Sequence, residues 1–139
     1  IMETQNWDLI IKEEFDKVKD KIILVYGKDG IQNEKLATHS FMHKNWIKIS
    51  GFAVPTMFGG DWVDNWIMDV AQRIERLIYL ENLSIPHLHP TAGKANFDEV
   101  YLQKYQRDQN SNPQWMFNYF KEVREEQAEK IRKFINETT

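Results

Sequence analysis

The feature that most constrains the fold is a run of apolar residues between positions 63 and 77. They recur at spacings of three and four: Val63, Trp66, Ile67, Val70, Ile74 and Leu77. Such spacings place side chains on one face of an α-helix, because the helix turns once every 3.6 residues or so. We therefore predict a helix over Asp64–Leu77 that packs this face against a core.

Short aliphatic runs elsewhere in the chain predict a small number of strands. They are Ile22–Tyr26, Thr38–His43, Ile78–Leu80 and Leu83–Ile85. Further helices are predicted over Trp7–Lys19, with Asn6 as the cap residue, and over Lys44–Ile49. Few strands among several helices predict an α/β or α+β fold, with too few strands to make a complete sheet.

The end of the chain carries a second amphipathic pattern. Lys94–Asn110 is predicted to be partly helical, and Asn112-Pro113 is a helix start signal because Asn caps and Pro suits the first turn. The apolar stripe that follows is Met116, Phe120, Val123, Ala128, Ile131 and Phe134 or Ile135. We predict a domain over residues 1–110 and a long amphipathic helical extension over residues 111–139.

Composition limits the classes of partner. The net charge of −3 gives no overall basic character, so we expect no nucleic-acid partner. The chain has no cysteine, which excludes thiolate metal sites and cysteine nucleophiles. It contains neither a signal peptide nor an apolar run of about 20 residues, so we expect a cytoplasmic protein without a transmembrane segment. Because it opens on Ile1, we also expect a fragment of a longer protein.

Residues 59–66, Gly-Gly-Asp-Trp-Val-Asp-Asn-Trp, are the first candidate site. In one interpretation Asp61 or Asp64 caps the helix, where its dipole favours negative charge, and Trp62 and Trp66 only pack. In the other, one acid is a general base at a cleft, flanked by aromatic rings that hold a sugar.

The stretch His87-Leu88-His89-Pro90 is the second candidate site. In an extended segment, residues two apart share a face, so both imidazoles point to one place. They are either metal ligands or histidines held by structural hydrogen bonds. Lys94, on the small-residue turn that follows, is either solvated or a phosphate contact. His39, earlier in the chain, is expected to be structural.

The order of several short blocks resembles the C-terminal, acceptor-side half of type-A-fold, family-2-like nucleotide-sugar glycosyltransferases. The blocks are Asn6-Trp7-Asp8, Ile22–Tyr26, Thr38–Trp46 with Gly51-Phe52, Phe58–Trp66, and Ile85–Pro90. They cover roughly residues 5 to 100. The fourth block is similar to the acidic stretch that opens the catalytic helix of that family, and the fifth resembles its metal-binding histidine.

The resemblance implies part of that family's mixed sheet, flanked by helices. It also implies metal-assisted transfer of a sugar from a nucleotide-sugar donor to a hydroxyl acceptor. Asp64, or else Asp61, would be the catalytic base, and Trp62, Trp66 and Lys94 would bind substrate. His87 or His89 would hold a divalent cation, Mn²⁺ or Mg²⁺. Two departures matter: Asn65 stands where the family has a second acid, and the family's Asp-x-Asp half is missing. We therefore expect the fragment to be inactive alone.

Two other functions stay open. The first is a non-catalytic interaction or structural module, viral or phage-like or a degenerate transferase domain. It would form homo-oligomers through the C-terminal helix or bind an N-terminal partner domain. The second is a metal-dependent hydrolase that uses His87, His89 and Asp64.

Overall fold

Six α-helices and a three-stranded sheet make up the part of the chain that a computed structural model describes, residues 2–138 without the side chain of Thr91. The helices are α1 (Trp7–Asp16), α2 (Lys44–Ser50), α3 (Val63–Arg73), α4 (Glu99–Ser111), α5 (Pro113–Tyr119) and α6 (Lys121–Thr138). The strands are β1 (Leu24–Lys28), β2 (Ser40–Met42) and β3 (Leu77–Ser84), and short 3₁₀ turns cover Asn33–Lys35 and Pro90–Ala92. The predicted α/β or α+β class, with a mixed sheet flanked by helices, is confirmed.

The sheet has the order β2-β1-β3, with β2 antiparallel and β3 parallel to the central strand. Leu24 and Val25 of β1 are fully buried, because helices cover both faces of the sheet. At Gly27 any side chain would overlap the backbone of Leu83, so only glycine allows this close approach. The register shifts beside Gly27, and this irregularity lets one continuous β3 replace the two short strands predicted after residue 77.

Helix α3 begins as predicted but ends at Arg73, four residues before Leu77. Glu75 adopts a left-handed conformation with φ of 57°, which turns the chain directly into β3. The single long helix predicted after Asn112 is two helices, since Phe120 leaves the helical conformation between α5 and α6. Asn112 caps α5 as predicted, by accepting the backbone N–H of Trp115.

The main core lies between one face of the sheet and helices α2, α3 and α6. Its largest side chains are Trp46 and Trp66. A second cluster, centred on Ile11 of α1, covers the other face of the sheet. Together the two clusters give a three-layer arrangement of helix, sheet and helix.

Helix α6 belongs to the main core. Its residues Ala128, Ile131 and Ile135 are buried there with α3 residues. The C-terminal part of the apolar stripe is therefore buried within the chain. Among the described residues, no helix is both long and apolar enough to cross a membrane.

Candidate functional site

A cleft of about 510 Å³ joins the two stretches that the sequence singled out. Asp61, Trp62 and Asp64 line it from the start of α3, and His87 and His89 line it from the segment after β3. The turn after β1 supplies further lining residues. The acidic stretch and the two histidines therefore face one space.

Topology explains the convergence. Strands β1 and β3 are parallel, so the segments that follow them leave the same edge of the sheet. Helix α3 runs into β3 through a tight turn, and its first residues therefore lie at that edge too. The cleft sits where open sheets of parallel strands commonly bind ligands.

Asp64 is a carboxylate with a strongly perturbed acidity. Its pKa is raised from the usual 3.8 to about 6, first by burial and then by the nearby charge of Asp61, while the charge of Lys104 acts in the opposite direction. Within residues 2–138, no hydrogen bond or ion pair to the Asp64 carboxylate is found that would stabilise its charge. A carboxylate with this pKa is ionised at neutral pH yet takes up a proton more readily than an ordinary aspartate, as a general base must.

Asp61 is half exposed and forms an ion pair with Lys104 of α4. Lys104 also contacts Asp108, with 2.8 Å between Nζ and Oδ2. Asp61 therefore already has a cationic partner, and it influences the site through its charge on Asp64. Of the two acids predicted as bases, Asp64 has the more suitable surroundings.

The histidines form a continuous row of rings. The ring centroids of His39 and His87 are 5.0 Å apart, and those of His87 and His89 are 5.1 Å apart. The hydroxyl of Tyr101 lies 3.4 Å from Nε2 of His89. Burial, followed by the neighbouring histidines, lowers the pKa of His87, and burial lowers that of His39. Lowered pKa values favour neutral imidazoles, the form that coordinates metals.

The donor set for a cation is incomplete in the protein itself. In the part of the chain described here, no three His, Cys, Asp or Glu side chains are grouped so that they could hold a metal ion. His87 and His89 supply at most two nitrogen donors. Mg²⁺ and Mn²⁺ prefer oxygen ligands, and phosphate oxygens of a bound substrate commonly complete such a shell.

Asp29 is a site residue that the sequence did not reveal. Its side chain is 1% exposed. Oδ1 accepts three backbone N–H groups of the following turn, at 2.7–2.9 Å, and Oδ2 accepts the hydroxyl of Thr38 at 2.9 Å. Burial would raise the pKa of Asp29, but these hydrogen bonds outweigh it and lower the pKa.

Asp29 also holds His87 in place. Its backbone carbonyl accepts the N–H of His87 at 2.9 Å, and its Oδ2 lies 3.8 Å from Nδ1 of that imidazole. The sequence shows Asp29-Gly30 only as a turn. Neither the contact with His87, 58 positions away, nor the one with Thr38 has a local sequence signal.

The two tryptophans of the acidic stretch lie in different places. Trp62 lines the cleft, and its ring packs on Phe117 at a centroid distance of 5.1 Å. Trp66 is 0% exposed, and its indole N–H donates to Gln127 at 2.9 Å in the core. This corrects the prediction that Trp66 binds substrate, since its ring cannot reach a ligand in the cleft.

Lys94 is exposed and lies beside the site. Its ammonium donates to the backbone carbonyl of Gly30 at 3.0 Å, and it is not among the residues that line the cleft. It ties the segment after the histidines to the turn after β1. A phosphate contact by Lys94 would require this bond to be exchanged.

Comparisons with protein-family models, curated proteins and solved structures find no match to this chain.

Proposed function

We propose that the chain is the acceptor-side part of a glycosyltransferase that moves a sugar from a nucleotide-sugar to a hydroxyl acceptor. The observation that carries the proposal is the placement of Asp64, with its raised pKa, in one cleft with His87 and His89. The resemblance of the sequence blocks in the chain to that class of enzyme supports the same conclusion.

The proposed step needs one base. Asp64 removes the proton of the acceptor hydroxyl as its oxygen forms a bond to the anomeric carbon of the donor. The bond from that carbon to the diphosphate breaks, and the diphosphate leaves with the electron pair. Because its pKa is about 6, Asp64 is ionised at neutral pH and accepts this proton more readily than an ordinary aspartate.

The acceptor and the donor are proposed to use different walls. Trp62, supported from behind by Phe117, offers an aromatic ring to the acceptor sugar beside the base. His87 and His89 would face the diphosphate, and Lys94 is near enough to be a further contact after it releases Gly30. A divalent cation held by the two imidazoles and by diphosphate oxygens would offset the charge of the leaving group.

The first test is binding. Thermal unfolding of a longer protein that contains these residues and the donor-binding half is measured with several nucleoside diphosphates, each with and without manganese. We expect at least one diphosphate to raise the unfolding temperature, with manganese adding to the shift, because a ligand that binds only the folded state stabilises it. The double variant His87→Ala/His89→Ala should lose the manganese increment. No shift with any diphosphate would contradict the proposal.

Two controls sharpen the test. Lys133→Met, on the exposed face of α6, should respond like the unmodified chain. Asp64→Asn should keep the diphosphate shift, since the base is proposed to act on the acceptor. A metal-dependent hydrolase with all three of His87, His89 and Asp64 as ligands has little support, because these residues do not form a group that could hold one ion.

A further inference from the structure

Helix α4 reaches both walls of the cleft through two side chains one turn apart. Tyr101 contacts His89 at 3.4 Å between Oη and Nε2. Lys104 binds Asp61, just before α3. Most of the remaining α4 residues are exposed. Helix α4 is therefore connected to the candidate site mainly through polar contacts. The contact between Lys104 and Asp61 is an ion pair.

The ammonium of Lys104 has a fixed position. It bridges Asp61 on one side and Asp108, one turn further along α4, on the other. Asp108 is 7% exposed, and no described residue donates a hydrogen bond to its Oδ1. A buried carboxylate with so few partners depends on its one cation, since an unpaired buried charge is strongly destabilising. Lys104 is thus anchored where it can hold Asp61.

Asp64 lies in the field of both members of the Lys104–Asp61 pair. The charge of Asp61 disfavours ionisation of Asp64, and the charge of Lys104 favours it. Lys104 forms no ion pair with Asp64 itself. The other ionisable side chains that line the cleft are Lys35 from the turn after β1, and His87 and His89 after β3.

We infer that Lys104 is a positioning residue for Asp64 that acts largely through Asp61. By binding the Asp61 carboxylate it offsets the repulsion that disfavours the ionisation of Asp64, and it makes that ionisation depend on the docking of α4. The inference rests on the proposed function, because Asp64 acts as a base only in that reaction. The effect of Lys104 on the ionisation of Asp64 can nevertheless be measured without any reaction.

The test is a titration of the Asp64 carboxyl carbon by NMR in the full chain. Lys104→Met should raise the pKa of Asp64 by about half a unit or more, because a favourable charge is lost. Lys104→Arg, which keeps the charge, should leave it unchanged. Asp61→Asn should shift it in the opposite direction, downward. Lys133→Met is the control for loss of a lysine far from the cleft.

A double-variant cycle separates the direct effect of Lys104 from the effect through Asp61. In the Asp61→Asn background, Lys104→Met should raise the pKa of Asp64 less than in the unmodified chain. Equal shifts in the two backgrounds would overturn the role of Asp61. An unchanged pKa in Lys104→Met, or no fall in Asp61→Asn, would overturn the inference as a whole. Asp61→Asn alters an exposed side chain, so this arm stands even if Lys104→Met does not fold.

The two proposals fail in different ways. If, in a longer chain that does transfer sugar, Asp64→Asn is as fast as the unmodified protein, Asp64 is not the base, whatever its titration shows. If Asp64→Asn is inactive but Lys104→Met leaves the titration of Asp64 unaltered, the base stands and the positioning role falls. If both proposals hold, Lys104→Met should also shift the acidic limb of the pH–rate profile to higher pH. Lys104→Arg should keep that limb where it is in the unmodified protein.

Discussion

Asp29 and Asp64 belong to the same site, and their acidities shift in opposite directions. Asp29 is the more buried, yet its pKa is lowered, because three backbone N–H groups and the Thr38 hydroxyl stabilise its charge. Asp64 is less buried, yet its pKa is raised to about 6, because burial and Asp61 act on a carboxylate that receives no such bonds. Burial alone does not decide acidity; hydrogen-bond donors do.

The comparison assigns the two acids different work. Asp29 accepts hydrogen bonds from the turn after β1 and from the backbone of His87, which suits a structural anchor. Asp64 keeps its oxygens for a ligand, which suits a base.

The largest effect is expected on the rate of sugar transfer. It is measured in a longer protein that contains these residues and transfers sugar. Asp64→Asn should lower the turnover number by about 10²–10⁴-fold, the usual contribution of a general base. Asp8→Asn is the matched control, since Asp8 is also in the first turn of a helix but is exposed on α1. Steady-state assays of diphosphate release measure both variants. Equal rates for Asp64→Asn and Asp8→Asn would remove Asp64 from the mechanism.

The next largest effect is on folding. Asp29→Ala leaves three N–H groups and one hydroxyl without their acceptor, so we expect it to lower the free energy of unfolding by about 2–4 kcal/mol. Urea denaturation at neutral pH measures the free energies of unfolding of Asp29→Ala and Asp64→Ala, and the two losses are compared. If the two substitutions destabilise equally, the distinction between anchor and base is wrong.

The pH dependence of stability should also separate the acids. Because the folded-state pKa of Asp64 is raised from 3.8 to about 6, its ionisation costs stability progressively as the pH rises through that interval. The free energy of unfolding of Asp64→Asn, minus that of the unmodified chain, should therefore grow by about 2 kcal/mol between about pH 4.5 and pH 8. A difference that stays flat would mean that the pKa of Asp64 is not raised.

The smallest effect concerns one hydrogen bond to Asp29. Thr38→Val removes a donor to Oδ2, so the pKa of Asp29 should rise and stability at neutral pH should fall by about 1 kcal/mol. Asp29 has a lowered folded-state pKa, so its contribution is present above 3.8 and is lost as the pH falls through the lowered value. The deficit of Thr38→Val should therefore shrink in acid. Thr56→Val, at an exposed threonine, is the control.

The sequence predicted the parts of the fold that depend on local periodicity. The apolar spacing from Val63 onward located α3, and Asn112-Pro113 located the start of α5. It did not predict the end of α3, because nothing local marks Glu75 as a left-handed residue. It also did not predict the break at Phe120, since the apolar stripe continues across it.

The site was predictable only in part, for a similar reason. Asp61, Asp64, His87 and His89 stand in short stretches of unusual composition, and these do meet in the cleft. Trp66 stands in the same stretch, but its neighbour is Gln127 of α6, a contact that no local pattern shows. Asp29 and Lys104 act through partners 58 and 43 positions away, so their roles depend on topology.

The most direct test of this division is to titrate both carboxyl groups in one sample. Carbon-detected NMR of the unmodified chain would follow Asp29 and Asp64 together as the pH is raised. We expect Asp64 to titrate near 6 and Asp29 to titrate below its usual 3.8. If the order is reversed, or if both groups titrate near 3.8, Asp64 has no special basicity and the proposed role of this cleft is contradicted.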